Sequence, residues 1–183
     1  MSKYSNIVVY FAHLDIERSI INRTLRDAVR DLQQVNFRDL HELYPDFFID
    51  VAKEQTVLRD ADLIVFQHPI YWYGAPAIFK HLLDTVLLRG FAYGSEGAAL
   101  QGKDFLLVVS TGAAAEEYQP GGIHHYPFEE LIRPIEQTVR FCGMQFLPPL
   151  VLHGGHSLSS DVIEAHAARY RRMLEEYKPD IIS

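Results

Sequence analysis

Ile7-Val8-Val9-Tyr10-Phe11 places five apolar residues in a row with no polar break. A strand with one face in water alternates apolar and polar residues; a continuous run is the pattern of a central parallel strand covered on both faces. After it, Ile21, Leu25, Ala28, Val29 and Leu32 follow helical spacing, with Ser19 close to the helix start. A strand feeding an amphipathic helix is the first half of a βα unit, and the chain repeats it. A short second strand is expected over Val35 to Asp39, a third at Leu63-Ile64-Val65-Phe66 and a fourth at Phe105-Leu106-Leu107-Val108-Val109. Between the last two, Pro76 suits a first helical position, and Phe79, Leu82, Leu83 and Val86 form the buried stripe. Pro127 or Glu129 opens a further helix that ends near Cys142-Gly143. A last strand is expected around Phe146 to Leu152, interrupted by Pro148-Pro149. Ser159-Ser160-Asp161 then caps a final helix carrying Ile163, Ala167, Tyr170, Leu174 and Tyr177. The stretch from Gly90 to Gly102 reads as an excursion from the sheet, a hairpin.

Five strands with interleaved helices predict an α/β fold, a doubly wound parallel sheet with helices on both faces. A chain of 183 residues is one ordinary domain, so residues 1–183 are expected to form a single unit. The formal charge of −7 and the lack of a Lys/Arg stripe argue against a nucleic-acid partner. A small anion is still allowed, because backbone N–H groups can hold it. The lone Cys142 forms no internal disulfide and fits a reducing compartment. It falls in register with Phe128, Leu131, Ile132, Ile135 and Val139, so it is expected to be a buried, unreactive core residue. No signal peptide and no apolar stretch near the ~20 residues of a membrane span can be read, which predicts a soluble, cytoplasmic protein.

Ligands of doubly wound sheets bind outside the strand carboxyl ends, where strand order reverses. Three loops therefore carry the chemistry. Ala12-His13 through Ser19-Ile20-Ile21-Asn22 leads hydroxyl, amide and imidazole groups into a helix start, which suits a phosphate; the alternative is a plain capped helix. No GxGxxG and no Walker lysine is present there. Gln67-His68-Pro69-Ile70-Tyr71-Trp72-Tyr73-Gly74-Ala75-Pro76 puts three consecutive aromatics in a loop, a surface for a flat conjugated ring, a hydrophobic plug or a dimer contact. Ser110-Thr111-Gly112-Ala113-Ala114-Ala115 offers close backbone approach and donors for ring carbonyls or nitrogens. Glu116 and Glu117 read as a solvated pair, and His68 and His81 as structural. His153 and His156 flank Gly154-Gly155, but no carboxylate or thiol spacing supports a metal site, and none is expected.

Several longer pieces carry a family resemblance: Tyr44-Pro45-Asp46-Phe47-Phe48-Ile49-Asp50 followed by Glu54-Gln55, Asp62-Leu63-Ile64-Val65-Phe66-Gln67-His68-Pro69, and Arg89-Gly90-Phe91-Ala92-Tyr93-Gly94. Ser110-Thr111-Gly112 and Phe141-Cys142-Gly143 with Leu147-Pro148-Pro149 add to them. In these the chain resembles the flavodoxin-like NAD(P)H:quinone oxidoreductases, and most of all the ancillary proteins of glutathione-regulated potassium-efflux systems. The resemblance implies a flavodoxin-like five-stranded parallel sheet, a homodimer with flavin near the subunit interface, FMN rather than FAD, and NAD(P)H as co-substrate. It places His13 and Ser19, Ile20, Ile21 and Asn22 at the flavin phosphate, and Ile70, Tyr71, Trp72 and Tyr73 along the flavin ring. Ser110, Thr111, Gly112 and Ala113 fall at the ring's polar edge, where the family usually carries a second glycine in place of Ala113. Tyr118 and His124 match a tyrosine and histidine over the reacting face; a one-residue insertion before Ile123-His124 leaves His125 as a second choice.

The resemblance thereby implies an FMN-dependent oxidoreductase in which NAD(P)H and a quinone use one pocket in turn, a ping-pong exchange. Tyr118 and His124 would stabilise reduced flavin or supply a proton to the quinone. The alternative from the same resemblance is a regulatory subunit that binds and activates a potassium–proton antiporter, peripheral at the inner membrane face, with little redox turnover.

Overall fold

The computed structural model describes residues 5–155 and 157–179. The opening apolar run is strand β1 (Ile7–Phe11), and all five of its residues are buried. Removing such side chains from water stabilises the fold by roughly 1.5–3 kcal/mol each, which fixes β1 at the centre of the molecule. It lies between β2 (Val35–Asp39) and β3 (Leu63–Pro69), and β3 in turn pairs with β4 (Asp104–Ser110). Beyond β4, the last strand is split into β5 (Gln145–Phe146) and β6 (Leu150–Leu152), both pairing with β4. Pro148 and Pro149 have no N–H to donate to a ladder, so the pairing stops and restarts around them. Every named pairing is parallel, and the order is β2-β1-β3-β4-β5, with β6 beside β4. The chain moves from β1 outward to β2 and then back to β3 on the other side, so strand order reverses between β1 and β3.

Helices cover both faces. On one lie α1 (Ile20–Val29) and α6 (Ser160–Glu175), packed through Ile21, Leu25, Val29, Ile163, Ala167, Tyr170 and Leu174 onto Ile7, Val9, Val65 and Val108. On the other lie α3 (Val51–Asp60), α4 (Ala77–Val86) and α5 (Phe128–Phe141), with a single turn, α2 (Leu40–Leu43), after β2. Cys142 is buried at the end of α5, and burial pushes its thiol pKa up, as an unreactive core residue requires. Pro76 stands one place outside α4 as its N-cap, and Pro127 does the same for α5. Ser159 is the N-cap of α6, but its side chain makes no capping bond.

Four regions differ from the pattern read in the sequence. β3 runs on through Gln67, His68 and Pro69, because these residues keep register with Val108, Val109 and Ser110 of β4. Both polar side chains are fully buried there. Gln67 Nε2 reaches the Asn22 carbonyl at 3.4 Å, and His68 Nδ1 lies 2.9 Å from the Pro69 carbonyl oxygen. The Gly90–Gly102 excursion is not a hairpin: it is a succession of turns with an isolated Arg89–Tyr93 bridge, folded so that Phe91 and Ala92 are buried. A Cβ at Gly97 would lie 2.0 Å from the Tyr93 carbonyl oxygen, so only glycine closes that turn.

α3 is the third difference, since no helix is legible between the second and third strands. It is capped by Asp50, whose carboxylate accepts from Lys53 N at 3.0 Å. Its buried stripe holds Glu54 and Leu58. The Glu54 side chain is completely buried and accepts from Tyr10 Oη at 2.7 Å, from Arg38 Nε at 2.9 Å and Nη2, and from Tyr44 Oη. One carboxylate thus ties β1, β2, the Tyr44 loop and α3 together. The fourth difference is Glu117, which is half-buried and whose carboxylate bonds back to its own loop at Ile123.

Candidate functional site

The loops after β1, β3, β4 and β6 meet at the carboxyl edge of the sheet, beside the β1/β3 reversal. After β1 a 3-10 turn, Ile16–Arg18, leads to Ser19, the N-cap of α1. Ser19 Oγ accepts from the Asn22 backbone N–H at 3.2 Å and from Asn22 Nδ2 at 3.0 Å. The first N–H groups of a helix have no carbonyl four residues back, and those of Ile20 and Ile21 meet no acceptor among the described residues. The Ile20 side chain is exposed, while Ile21 is buried against the core, so both offer the site backbone only. Asn22 is buried and its amide also donates to Ser110 Oγ at 3.0 Å, so it ties the first loop to the end of β4. His13 lies nearer the third strand: its ring centroid is 5.8 Å from that of Tyr71, and its Nδ1 accepts from Asp15 N. Burial lowers the His13 pKa, with Asp15 opposing, and the neutral ring is the form that can accept that bond.

After β3 the aromatic run forms a tight turn. Tyr71 and Gly74 exchange two backbone hydrogen bonds, at 2.9 and 3.0 Å, around Trp72 and Tyr73. Both central residues have positive φ, 44° and 65°, as a type I′ turn requires, where Asn-Gly is the preferred pair. For bulky side chains this conformation costs on the order of 1–3 kcal/mol each. The turn nevertheless holds Trp72 94% exposed at its tip. Strain combined with an aromatic held in water makes this turn a candidate binding surface. Tyr73→Gly is therefore expected to raise unfolding stability by about 1 kcal/mol, measured by urea titration. A stability loss would show that the lost contact of the Tyr73 ring with His124 outweighs the relief of backbone strain.

After β4, Thr111 is buried and the next loop is clamped to the one after β6. Thr111 N donates to the Leu152 carbonyl at 3.0 Å, Gly155 N to the Thr111 carbonyl at 2.9 Å, and Gly154 N to the Ala113 carbonyl at 2.8 Å. The N–H groups of Gly112 and Ala113 meet no acceptor among the described residues. Gly155 leaves little room for a side chain, because a Cβ there would stand 3.0 Å from both Ile21 Cδ1 and the Thr111 oxygen, which would have to give by a few tenths of an ångström.

Further along, Tyr118 is buried and its ring stacks on His124 at 4.3 Å and 12°. His124 also meets Tyr73 edge-on at 5.7 Å, which joins the second and third loops. Its Nδ1 is buried without a partner among the described residues. His125 has a φ of 62°, is exposed, and makes no such stack. Glu117 is half-buried, whereas Glu116 is exposed. Its carboxylate accepts from Ile123 N and its carbonyl from His124 N, both at 3.1 Å, and these bonds close the loop that carries His124. Gly122 is needed for the closure, since a Cβ would sit 2.4 Å from the Glu117 oxygen. His153 follows β6, with Nδ1 3.0 Å from Thr111 Oγ1; His156 lies outside the described residues.

A doubly wound parallel sheet with its free N–H groups and exposed aromatics gathered at the strand-order reversal defines a flavodoxin-like protein. The model for the flavodoxin-like fold family matches residues 5–174, and the chain belongs to that family. Among curated relatives, the glutathione-regulated potassium-efflux system ancillary protein KefG of Yersinia enterocolitica is 40% identical over 175 residues, covering 96% of this chain and 95% of its own. Among solved structures, general stress protein 14 of Treponema denticola in complex with FMN is 35% identical, with a TM-score of 0.87 over 93% of this chain and 98% of the other. An NADPH-quinone reductase from P. pentosaceus is 29% identical, with a TM-score of 0.84 over 94% and 99% of the two chains. Among the described residues, no helix is long and apolar enough to cross a membrane.

Proposed function

We propose that the protein is an FMN-dependent NAD(P)H:quinone oxidoreductase working by ping-pong exchange at the carboxyl edge of the sheet. The observation that carries this reading is the placement of two pairs of free backbone donors, Ile20/Ile21 and Gly112/Ala113, on loops that flank the aromatic turn. The first pair opens α1, where the helix dipole favours a phosphate. The second suits the carbonyls and nitrogens of a flavin's polar edge, and Tyr71, Trp72 and Tyr73 offer it a flat apolar surface. Bound FMN supplies hydride chemistry between NAD(P)H and a quinone. Tyr118 and His124 stand side by side, one with a hydroxyl and the other with an unsatisfied ring nitrogen. They are suited to hold a proton near a quinone oxygen or to stabilise negative charge.

The test begins with FMN titrated into the purified protein stripped of flavin, with quenching of flavin fluorescence as the readout; no uptake removes the reading. NAD(P)H oxidation with a soluble quinone is then expected, and Tyr118→Phe with His124→Ala is expected to lower kcat/KM by roughly 10²-fold. An unchanged rate takes the two residues out of the mechanism. The same reading holds the protein to be a homodimer, with its second copy on the ≈560 Å³ groove between α4 and α5, where Tyr93 and Phe141 are exposed with rings 5.4 Å apart. A monomeric mass at flavin-binding concentrations removes that part. A second reading is favoured by the likeness to KefG over nearly the whole chain: a regulatory subunit of a potassium–proton antiporter. Negligible turnover by flavin-loaded protein, together with binding to such an antiporter's cytoplasmic domain, decides for it.

A further inference from the structure

His153 takes no part in the function proposed above, yet it meets Thr111, Tyr118 and Phe128. Its Nδ1 lies 3.0 Å from Thr111 Oγ1, and the same hydroxyl lies 2.9 Å from the Ala113 carbonyl oxygen. A hydroxyl has one hydrogen. If that hydrogen pointed at His153, two oxygens would face each other at 2.9 Å with nothing between them. The consistent arrangement is a relay in which His153 Nδ1–H donates to Thr111 and Thr111 donates to Ala113. The tautomer then follows from distance alone. Burial lowers the His153 pKa, against the pull of Glu116 and Glu129, which agrees with a neutral ring. That ring also packs edge-on against Phe128 at 4.9 Å and lies 5.5 Å from the Tyr118 ring, on which His124 is stacked.

The relay bears on the site because of what it leaves free. The Ala113 carbonyl receives both Thr111 Oγ1 and Gly154 N, and the Thr111 carbonyl receives Gly155 N. With both carbonyls held inside the loop, the Gly112 and Ala113 N–H groups remain without protein acceptors among the described residues. We propose that His153 is a positioning residue for flavin, acting through Thr111 to keep those two donors available to its polar edge. The proposal rests on the flavin reading, and names a residue which that reading leaves unused.

Two substitutions separate the hydrogen bond from the ring. His153→Phe keeps an aromatic against Phe128 and Tyr118 but removes the donor. His153→Asn removes the ring but can place its amide N–H close to where Nδ1–H stands. By FMN fluorescence titration of flavin-stripped protein, His153→Phe is expected to bind FMN roughly tenfold more weakly, and His153→Asn to recover most of that loss. Amide hydrogen exchange of Thr111, Gly154 and Gly155, measured without flavin, is expected to accelerate in the Phe variant and return toward wild type in the Asn variant. Affinity and exchange unchanged in His153→Phe overturn the proposal, as do equal losses in both variants, which assign the effect to ring packing. Wild-type protein that takes up no FMN defeats the flavin reading, and with it the proposal's claim about flavin; the exchange rates then judge the Thr111 clamp alone.

Discussion

Glu54→Ala is expected to destabilise the protein by about 3–5 kcal/mol. The reason is what the truncation leaves behind. Arg38 is 7% exposed, and with Glu54 gone its guanidinium has no counter-charge in the buried network. The Tyr10 and Tyr44 hydroxyls lose their acceptor at the same time. In the intact network burial and the neighbouring Glu54 raise both phenols, Tyr44 to about 12, so both stand protonated and donate to the carboxylate that the substitution removes. Urea unfolding near neutral pH measures the cost from the midpoint and slope. Removing the other charge as well is the informative control: Glu54→Leu with Arg38→Met is expected to recover much of the loss, because no bare charge then remains in the core. A single-variant cost below about 1 kcal/mol, the value of an ordinary exposed pair, would show that water reaches the network.

The second large effect is on pH. His68 is fully buried in β3, has an unpartnered Nε2, and burial lowers its pKa to about 4, with the hydrogen bond to Pro69 opposing. Its unfolded value is near 6.5. Above pH 6.5 both states are neutral and the residue is silent. Between 6.5 and about 4 the unfolded chain takes up a proton that the native chain refuses, so stability falls as pH falls. The linkage comes to about 2 kcal/mol at pH 5 and about 3 kcal/mol once both states are protonated. His68→Leu is expected to flatten that part of the acid limb. Unfolding free energies at pH 7, 6 and 5 for the two proteins provide the comparison, and parallel curves would overturn the assignment.

These two residues also show why part of the molecule is hard to read from sequence. The α/β class was legible because Ile7–Phe11 and Leu63–Phe66 are unbroken apolar runs and α1, α4 and α5 carry clear apolar stripes. α3 was not, because its central buried position is Glu54, and a carboxylate on the inner face erases the helical pattern. The partners that make burial tolerable, Tyr10 and Arg38, lie far away along the chain. β3 hid its last three residues for the same reason: Gln67 and His68 are polar, and only the register with β4 shows that they belong to the strand.

At the candidate site the location was readable, since strand-end loops follow from strand order. The division of labour within it was not. Asn22 resembles a ligand donor in sequence, yet its amide is engaged with Ser19 and Ser110. Glu117 resembles a solvated acid, yet it folds the His124 loop. His153 offered no signal beyond a histidine beside two glycines, because its partner Thr111 is 42 residues away and meets it only when β4 and β6 pair. The resemblance left a choice between His124 and His125, and in the structure it is His124 that stacks on Tyr118.

The break between β5 and β6 has a consequence for the molecule among its neighbours. An outermost strand with a full row of unpaired N–H and C=O groups is a template on which another chain can add a strand, the first step toward aggregation. Here Pro148 and Pro149 divide that row into segments of two and three residues and remove two of its donors. Neither segment is long enough to recruit a foreign strand, so the same prolines that shorten the sheet also keep its flank from growing.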